Sequence, residues 1–216
     1  MSYEVDFWAL RPFFKQPAEP VLRAARLLNE AVAAHRSGAH EIAESLIRDA
    51  NDPAIYEWTQ SIMGARIQEV LRVRDIEGAP KYLAKEQRLP PRQPPTAIKH
   101  ALLERDGLHC RFCGMPVIRA EVRTAMEKIY PHALPWTDKL DKEKHAAFLC
   151  MWVQYDHIVP HSRGGATTLE NMVITCAPCN YGRWHNTLEE VGLLHPFLRE
   201  PLSNDWDGLE RFHAAF

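Results

Sequence analysis

The chain has little that would place it in a membrane or make it a passive coat on a polyanion. No stretch of its 216 residues approaches the ~18–20 consecutive apolar residues of a membrane span. The longest apolar run, AAFLCMWV at 146–153, is far too short. The opening MSYEVDFWALRPFF is acidic early and has no long apolar run, so it does not read as a secretory signal. Neither charge sign is in excess: 26 Lys and Arg stand against 28 Asp and Glu, for a formal net charge of -2. That excludes the strongly basic profile of a DNA-coating protein, and any action on nucleic acid then requires local positive charge. Signs of disorder or of a collagen-like repeat are also missing. With 46% hydrophobic residues a packed core is within reach, and the length suits one large domain or two small ones.

Cysteine is scarce, and its placement is informative. Four of the five cysteines form two C-x-x-C pairs, Cys110/Cys113 and Cys176/Cys179. Without a signal peptide such pairs are more often zinc knuckles than disulfides, so the expectation is a reducing, cytoplasmic setting. Zinc takes four soft ligands in a tetrahedron, and four thiolates leave no open position, so this Zn²⁺ would be structural. The bland alternatives are buried free thiols or a redox pair. Gly114, directly after Cys113, permits the tight turn of a knuckle. Cys150 stands alone in an apolar run and reads as a core cysteine.

Residues 1–20 read as an irregular arm that packs down. From Pro20 the pattern is helical, with Leu22, Ala25, Leu28, Ala31 and Val32 on one face and Gly38 as terminator. AHEIAESLIRDA repeats it with Ile42, Leu46 and Ile47, and NDPAIYEWTQSIMG offers Asp52 as N-cap and Pro53 as first helical residue. ARIQEVLRVRDI is a fourth helical candidate. RLPPRQPPTA reads as a semi-rigid extended linker. Between Arg66 and Arg92 basic residues outnumber acidic ones; the favoured reading is a solvated helix face plus linker, the other a phosphate-contacting arm. TAIKHALLERDG predicts a helix stopped by Gly107, HCRFCGMPVI a hairpin, and residues 119–150 more helix, interrupted by YPHALPW. FLCMWVQYDHIVP predicts a strand, TLENMVITCAPCN a short helical turn, and CNYGRWHNTLEEVGLLHP a helix, a turn and a new helical start near Thr187. The division expected is a helical region at 1–88, a linker at 89–97 and a second domain at 98–216, with an insert at about 119–147 and a tail at 193–216.

The stretch YDHIVPHSRGGATTLENMVITCAPCNYGR joins an Asp-His pair, a Gly-Gly turn, an Asn and a C-x-x-C-N in one short space. A lone Asp-His is usually a surface pair, and a lone Asn before an apolar run is usually a cap. Their joint occurrence points to chemistry. Hydrolysis of a phosphodiester needs a deprotonated water, a cation on the scissile phosphate and help for the leaving oxygen. His157 titrates near neutral pH, as a base must. Adjacent strand residues point to opposite faces, so Asp156 and His157 need a local distortion to reach one phosphate.

This stretch, with the upstream RDGLHCRFCG, resembles the HNH endonucleases, the zinc-knuckle branch of the ββα-metal nucleases, over residues 97–192. The resemblance implies an α+β fold: a helical N-terminal region followed by a zinc-stapled ββα-metal domain with a helical insert. It implies His157 as general base, Asp156 and Asn180 as ligands of a catalytic Mg²⁺ or Mn²⁺, and Asn171 as a brace for the loop carrying the base. Arg183 matches the family's basic residue, a phosphate contact; Arg163, His161 and His185 are weaker substrate-side candidates. His132 and His145 read as structural. The activity implied is metal-dependent cleavage of DNA leaving a 5′-phosphate and a 3′-hydroxyl, in restriction or phage defence. The alternative is a non-catalytic zinc module that binds nucleic acid or a partner. Two departures stand out: the segment between Cys113 and Asp156 is long, and charge in the motif region is balanced, so substrate positioning falls to the linker, the helical region, a second copy of the chain or a partner protein.

Overall fold

The computed structural model describes residues 9–64 and 66–213. The first helix, α1 (Glu19–Arg36), starts at Pro20, whose missing N–H costs nothing in the first turn. It stops at Ser37 and Gly38, where φ is +81°. Val21, Ala24, Ala25, Leu28, Ala31 and Val32 form its buried face. Leu22, expected on that face, is exposed, because the stripe runs through Val21 instead. The second helix, α2 (His40–Asp49), packs on α1 through Ala43 and Ile47, while Ile42 faces out. In α3 (Pro53–Met63) the N-cap is as expected: Asp52 Oδ1 accepts from the Ala54 N–H at 2.8 Å.

The fourth expected helix does not form. Residues 67–69 make one 3₁₀ turn, and the chain then runs without regular structure. Tertiary bonds outweigh helix propensity here. The Arg74 N–H donates to the Glu190 carbonyl at 3.0 Å, and Arg74 Nε donates to the Glu189 carbonyl at 2.8 Å. Of the N-terminal arm, residues 1–8 lie outside the described residues. Arg11 pairs with Leu193 through backbone bonds to Gly192 and Leu194.

The second half is built on two short strands. The helix α4 (Thr96–Asp106) ends at Gly107, where φ is +68°. It is followed by the first knuckle, a tight turn closed by the Cys110 N–H to the Met115 carbonyl at 2.8 Å. The insert contains α5 (Ala120–Ile129) and an irregular stretch that leads to α6 (Ala146–Cys150). The strands β1 (Val153–His157) and β2 (Met172–Cys176) are antiparallel, with Asp156 opposite Val173 and His157 opposite Met172. The seven-residue helix α7 (Ala177–Arg183) follows at once, giving the order strand, loop, strand, helix.

Two expectations fail in this half for local reasons. The strand begins only at Val153, since Phe148, Leu149 and Cys150 close the short helix α6. Residues 172–176 are a strand and not a helical turn: Val173, Ile174 and Thr175 are β-branched and suit a pleated, buried position. No helix restarts at Thr187; residues 188–192 are turns, held by a side chain–backbone exchange between Thr187 and Glu190.

The two halves share one hydrophobic core. The α3 and α7 helices touch so closely that a Cβ on Gly182 would lie 2.8 Å from the Ile62 carbonyl oxygen. His145 Nε2 donates to the Ile47 carbonyl at 2.8 Å, and Asn51 Oδ1 accepts from the Ala146 N–H at 2.7 Å. Near the C-terminus, Trp206 Nε1 donates to the Val117 carbonyl and Phe212 stacks on His35. The segment 79–93 is therefore no free spacer. It lies across the loop between β1 and β2, as described next.

Candidate active site

The two knuckles meet in one cluster of sulfurs. The sulfurs of Cys110, Cys113, Cys176 and Cys179 all lie within 4.8 Å of one another and all four residues are buried, with Cys113 and Cys176 at 3.6 Å. A tetrahedron with Zn–S bonds of roughly 2.3 Å has edges of about 3.8 Å, so the cage has the right size for zinc. Burial opposes ionisation of Cys110, yet hydrogen bonds from the other three sulfurs pull its thiol well below the usual range. Cys176 is pushed well up by burial and by its neighbours. Cys150 stays outside the cage, in the core, as expected.

A cleft of about 680 Å³ lies against β1. It gathers Asp156, His157, His161, Asn180 and His185 from the predicted set. Residues that the sequence did not single out join them: Gln154, Tyr155, Trp152, Tyr181 and Trp184, and the bases Lys99 and Arg119. Arg88 and Arg92 also line it. Arg92 is exposed and Arg88 half-buried, and the segment that carries them folds back over the loop after β1. The Leu83 N–H donates to the Ser162 carbonyl at 2.9 Å, and Arg163 Nη1 donates to the Pro80 carbonyl at 2.8 Å. His161 Nε2 donates to the Leu89 carbonyl at 2.5 Å.

Asp156 and His157 are both buried, and both line the cleft. Burial holds the His157 imidazole down to about 4, helped by His161, Arg183 and Arg92, so the ring is neutral at pH 7. Its Nε2 lies 2.9 Å from Thr167 Oγ1. Burial raises the Asp156 carboxyl, and Arg183 works against that rise.

Asn171 makes three bonds to the loop after β1. Its Oδ1 accepts from the Val159 N–H at 2.9 Å, and its Nδ2 donates to the Val159 and Ala166 carbonyls at 3.1 and 2.9 Å. Gly165 lies against the same carbonyl: a Cβ there would be 1.8 Å from the Val159 oxygen. Asn180 sits at the cleft wall with its amide nitrogen 3.5 Å from Gln154 Oε1.

The model of the HNH endonuclease family matches residues 140–183. The chain carries an HNH endonuclease domain. The match takes in α6, both strands and α7, and leaves the first knuckle outside. No curated protein and no solved structure matches the chain. The mixed helical fold with a two-stranded sheet and a four-cysteine cage agrees with the α+β architecture expected. Among the described residues no helix is long and apolar enough to cross a membrane.

Two arginines of the HNH domain stand differently from the expectation. Arg183 is fully buried, with Nη2 2.6 Å and Nε 3.1 Å from Asp156 Oδ2. Its other bonds go to the carbonyls of His157, Ile158 and Asn186. A guanidinium so enclosed presents no donor to a phosphate. Arg163 is likewise turned inward, to the His185 carbonyl and to Glu190 at 2.9 Å. Motif position alone carried the phosphate-contact reading, and motif position does not reveal which way a side chain points. His132 stays outside the cleft, and His145 is buried in the core.

Proposed function

We propose that the chain is a metal-dependent endonuclease that hydrolyses DNA phosphodiester bonds. The observation that carries this reading is the cleft itself. It brings together a neutral, buried histidine beside a carboxylate with Arg88, Arg92 and Lys99, while its Arg119 is already paired with Glu210. A polyanion entering this cleft meets local positive charge although the whole chain is nearly neutral. In this reading His157 takes the proton of the attacking water and Asn171 keeps its loop in place. Asp156 and Asn180 would hold a hard cation such as Mg²⁺ or Mn²⁺ through their side-chain oxygens. That cation supplies charge at the phosphate and at the leaving oxygen. The four-cysteine cage holds Zn²⁺ as a staple between the knuckles. Arg88 and Arg92 take over the phosphate-contact role first given to Arg183. The products are a 5′-phosphate and a 3′-hydroxyl, and the setting that the resemblance implies is restriction or phage defence.

One observation favours the second reading, a non-catalytic nucleic-acid-binding module. Arg183 holds Oδ2 of Asp156, and a carboxylate already paired with an arginine is a weaker ligand for a cation. A plasmid-nicking assay with EDTA, Mg²⁺ or Mn²⁺ separates the two. The nuclease relaxes or linearises the plasmid in metal and loses this activity in His157→Ala. The binding module retards DNA and cuts it in neither form.

A further inference from the structure

The loop after β1 is held from outside by backbone carbonyls of the segment 79–93. Two of these contacts involve the histidines of the cleft. His161 Nε2 bonds the Leu89 carbonyl directly. His157 Nε2 is 2.9 Å from Thr167 Oγ1, and the same oxygen is 2.5 Å from the Pro91 carbonyl and 3.4 Å from the Arg92 carbonyl. Thr167 therefore stands between the candidate base and the Pro-rich segment.

The direction of the protons follows from what each group can do. A carbonyl oxygen only accepts, and a threonine hydroxyl has one proton to give. With that proton on the Pro91 carbonyl, the Thr167 oxygen presents lone pairs to His157. Two lone pairs make no hydrogen bond, so Nε2 must carry the ring proton. A neutral imidazole has one N–H, and Nδ1 is then its basic nitrogen. We propose that Thr167 is a positioning residue for His157: anchored by the Pro91 carbonyl, it fixes the ring in the Nε2–H tautomer and leaves Nδ1 to take a proton. The segment that joins the helical half to the HNH domain thereby becomes part of the apparatus around the base. Only the kinetic consequence rests on the nuclease reading; the tautomer does not.

The test uses the full, zinc-loaded chain. Nitrogen-15 NMR of the histidine side chains, with His157→Ala for assignment, reads the protonated nitrogen of His157 directly. The wild type and Thr167→Ser are expected to show a protonated Nε2. Thr167→Val, which keeps the shape and lacks the hydroxyl, is expected to show mixed or reversed tautomers. In the plasmid assay Thr167→Val should lower kcat on the order of 10- to 100-fold at unchanged KM, and Thr167→Ser should restore it. A wild-type His157 protonated on Nδ1 overturns the proposal, as does a Thr167→Val variant with wild-type kcat. If Thr167→Val does not fold, the wild-type and Thr167→Ser spectra still decide. Absence of cleavage by the wild type counts against the nuclease reading alone, and the spectra then settle the role of Thr167 by themselves.

Discussion

Arg183 and Asp156 form an ion pair inside the protein, with Nη2 2.6 Å from Oδ2 and the guanidinium fully buried. The pair ties the end of α7 to β1, and three backbone carbonyls take the remaining donors of the arginine. Burying a charge is tolerable only when it is paired and its hydrogen bonds are made, and both conditions hold here. Asp156 is thus a counter-ion of the fold as well as a candidate ligand. A cation arriving at the cleft has to share it with Arg183.

Removing the arginine should therefore cost stability before it costs binding. Arg183→Met leaves Asp156 without a partner and three carbonyls without donors, for an expected loss of about 3–5 kcal/mol. Urea unfolding followed by circular dichroism measures this. A variant as stable as the wild type but with a raised KM would return Arg183 to the phosphate-contact role.

The cysteine cage predicts a metal content. One zinc per chain is expected by elemental analysis, lost in Cys176→Ser together with a fall in the unfolding midpoint on the order of 10 °C. Cys150→Ala is the control, since that residue is buried away from the cage. It should keep the zinc. Equal zinc in the wild type and Cys176→Ser would remove the cage from the account.

Much of this was legible in the sequence and some was not, for physical reasons. The C-x-x-C pairs, the Asp156-His157 pair, Asn171 and Asn180 depend on local spacing, and the structure places all of them at the cage, the cleft or its supporting loop. Arg183 was misjudged because a basic side chain reads as a surface group until its partner is seen 27 residues away. Met172–Cys176 is a strand where the sequence predicts a helical turn, since five residues are too few to show a period. The docking of the Pro-rich segment rests on bonds over 72 to 83 residues, which no local pattern encodes.

His145 makes stability depend on pH. It is buried beneath α2, and burial lowers its imidazole from the ordinary 6.5 to about 4. Between those values the unfolded chain binds the proton and the folded chain does not. Stability is then complete above about pH 6.5 and falls as the pH drops to 4, by on the order of 3 kcal/mol. Comparing denaturation midpoints at pH 7 and pH 4.5 for the wild type and His145→Gln checks it. The variant, which cannot take up a proton, should lose less; identical losses would place the acid sensitivity elsewhere.

Gly165 tests whether the loop after β1 must be held in its observed shape. Any Cβ there meets backbone, at 1.8 Å from the Val159 oxygen, as well as Asn171 Nδ2 at 2.8 Å. Gly165→Ala should push the loop off Asn171 and reduce cleavage by about a hundredfold, since a displacement near 1 Å is enough for that. The zinc content should be unchanged, because the loop that Gly165 belongs to supplies no cysteine to the cage.

Arg92 is exposed, lines the cleft and is close enough to His157 to lower its proton affinity. A lysine or arginine that touches a phosphate displaces a counterion, and its loss reduces the salt dependence of binding by about one unit of slope. Arg92→Ala should weaken DNA binding across unrelated sequences and flatten a plot of log affinity against log salt. The position faces solvent and belongs to neither the cage nor the core cluster, so zinc content and unfolding midpoint are expected to match the wild type. Fluorescence anisotropy on a labelled duplex at several salt concentrations gives both quantities. An unchanged slope would mean that DNA crosses the cleft without reaching the Pro-rich segment.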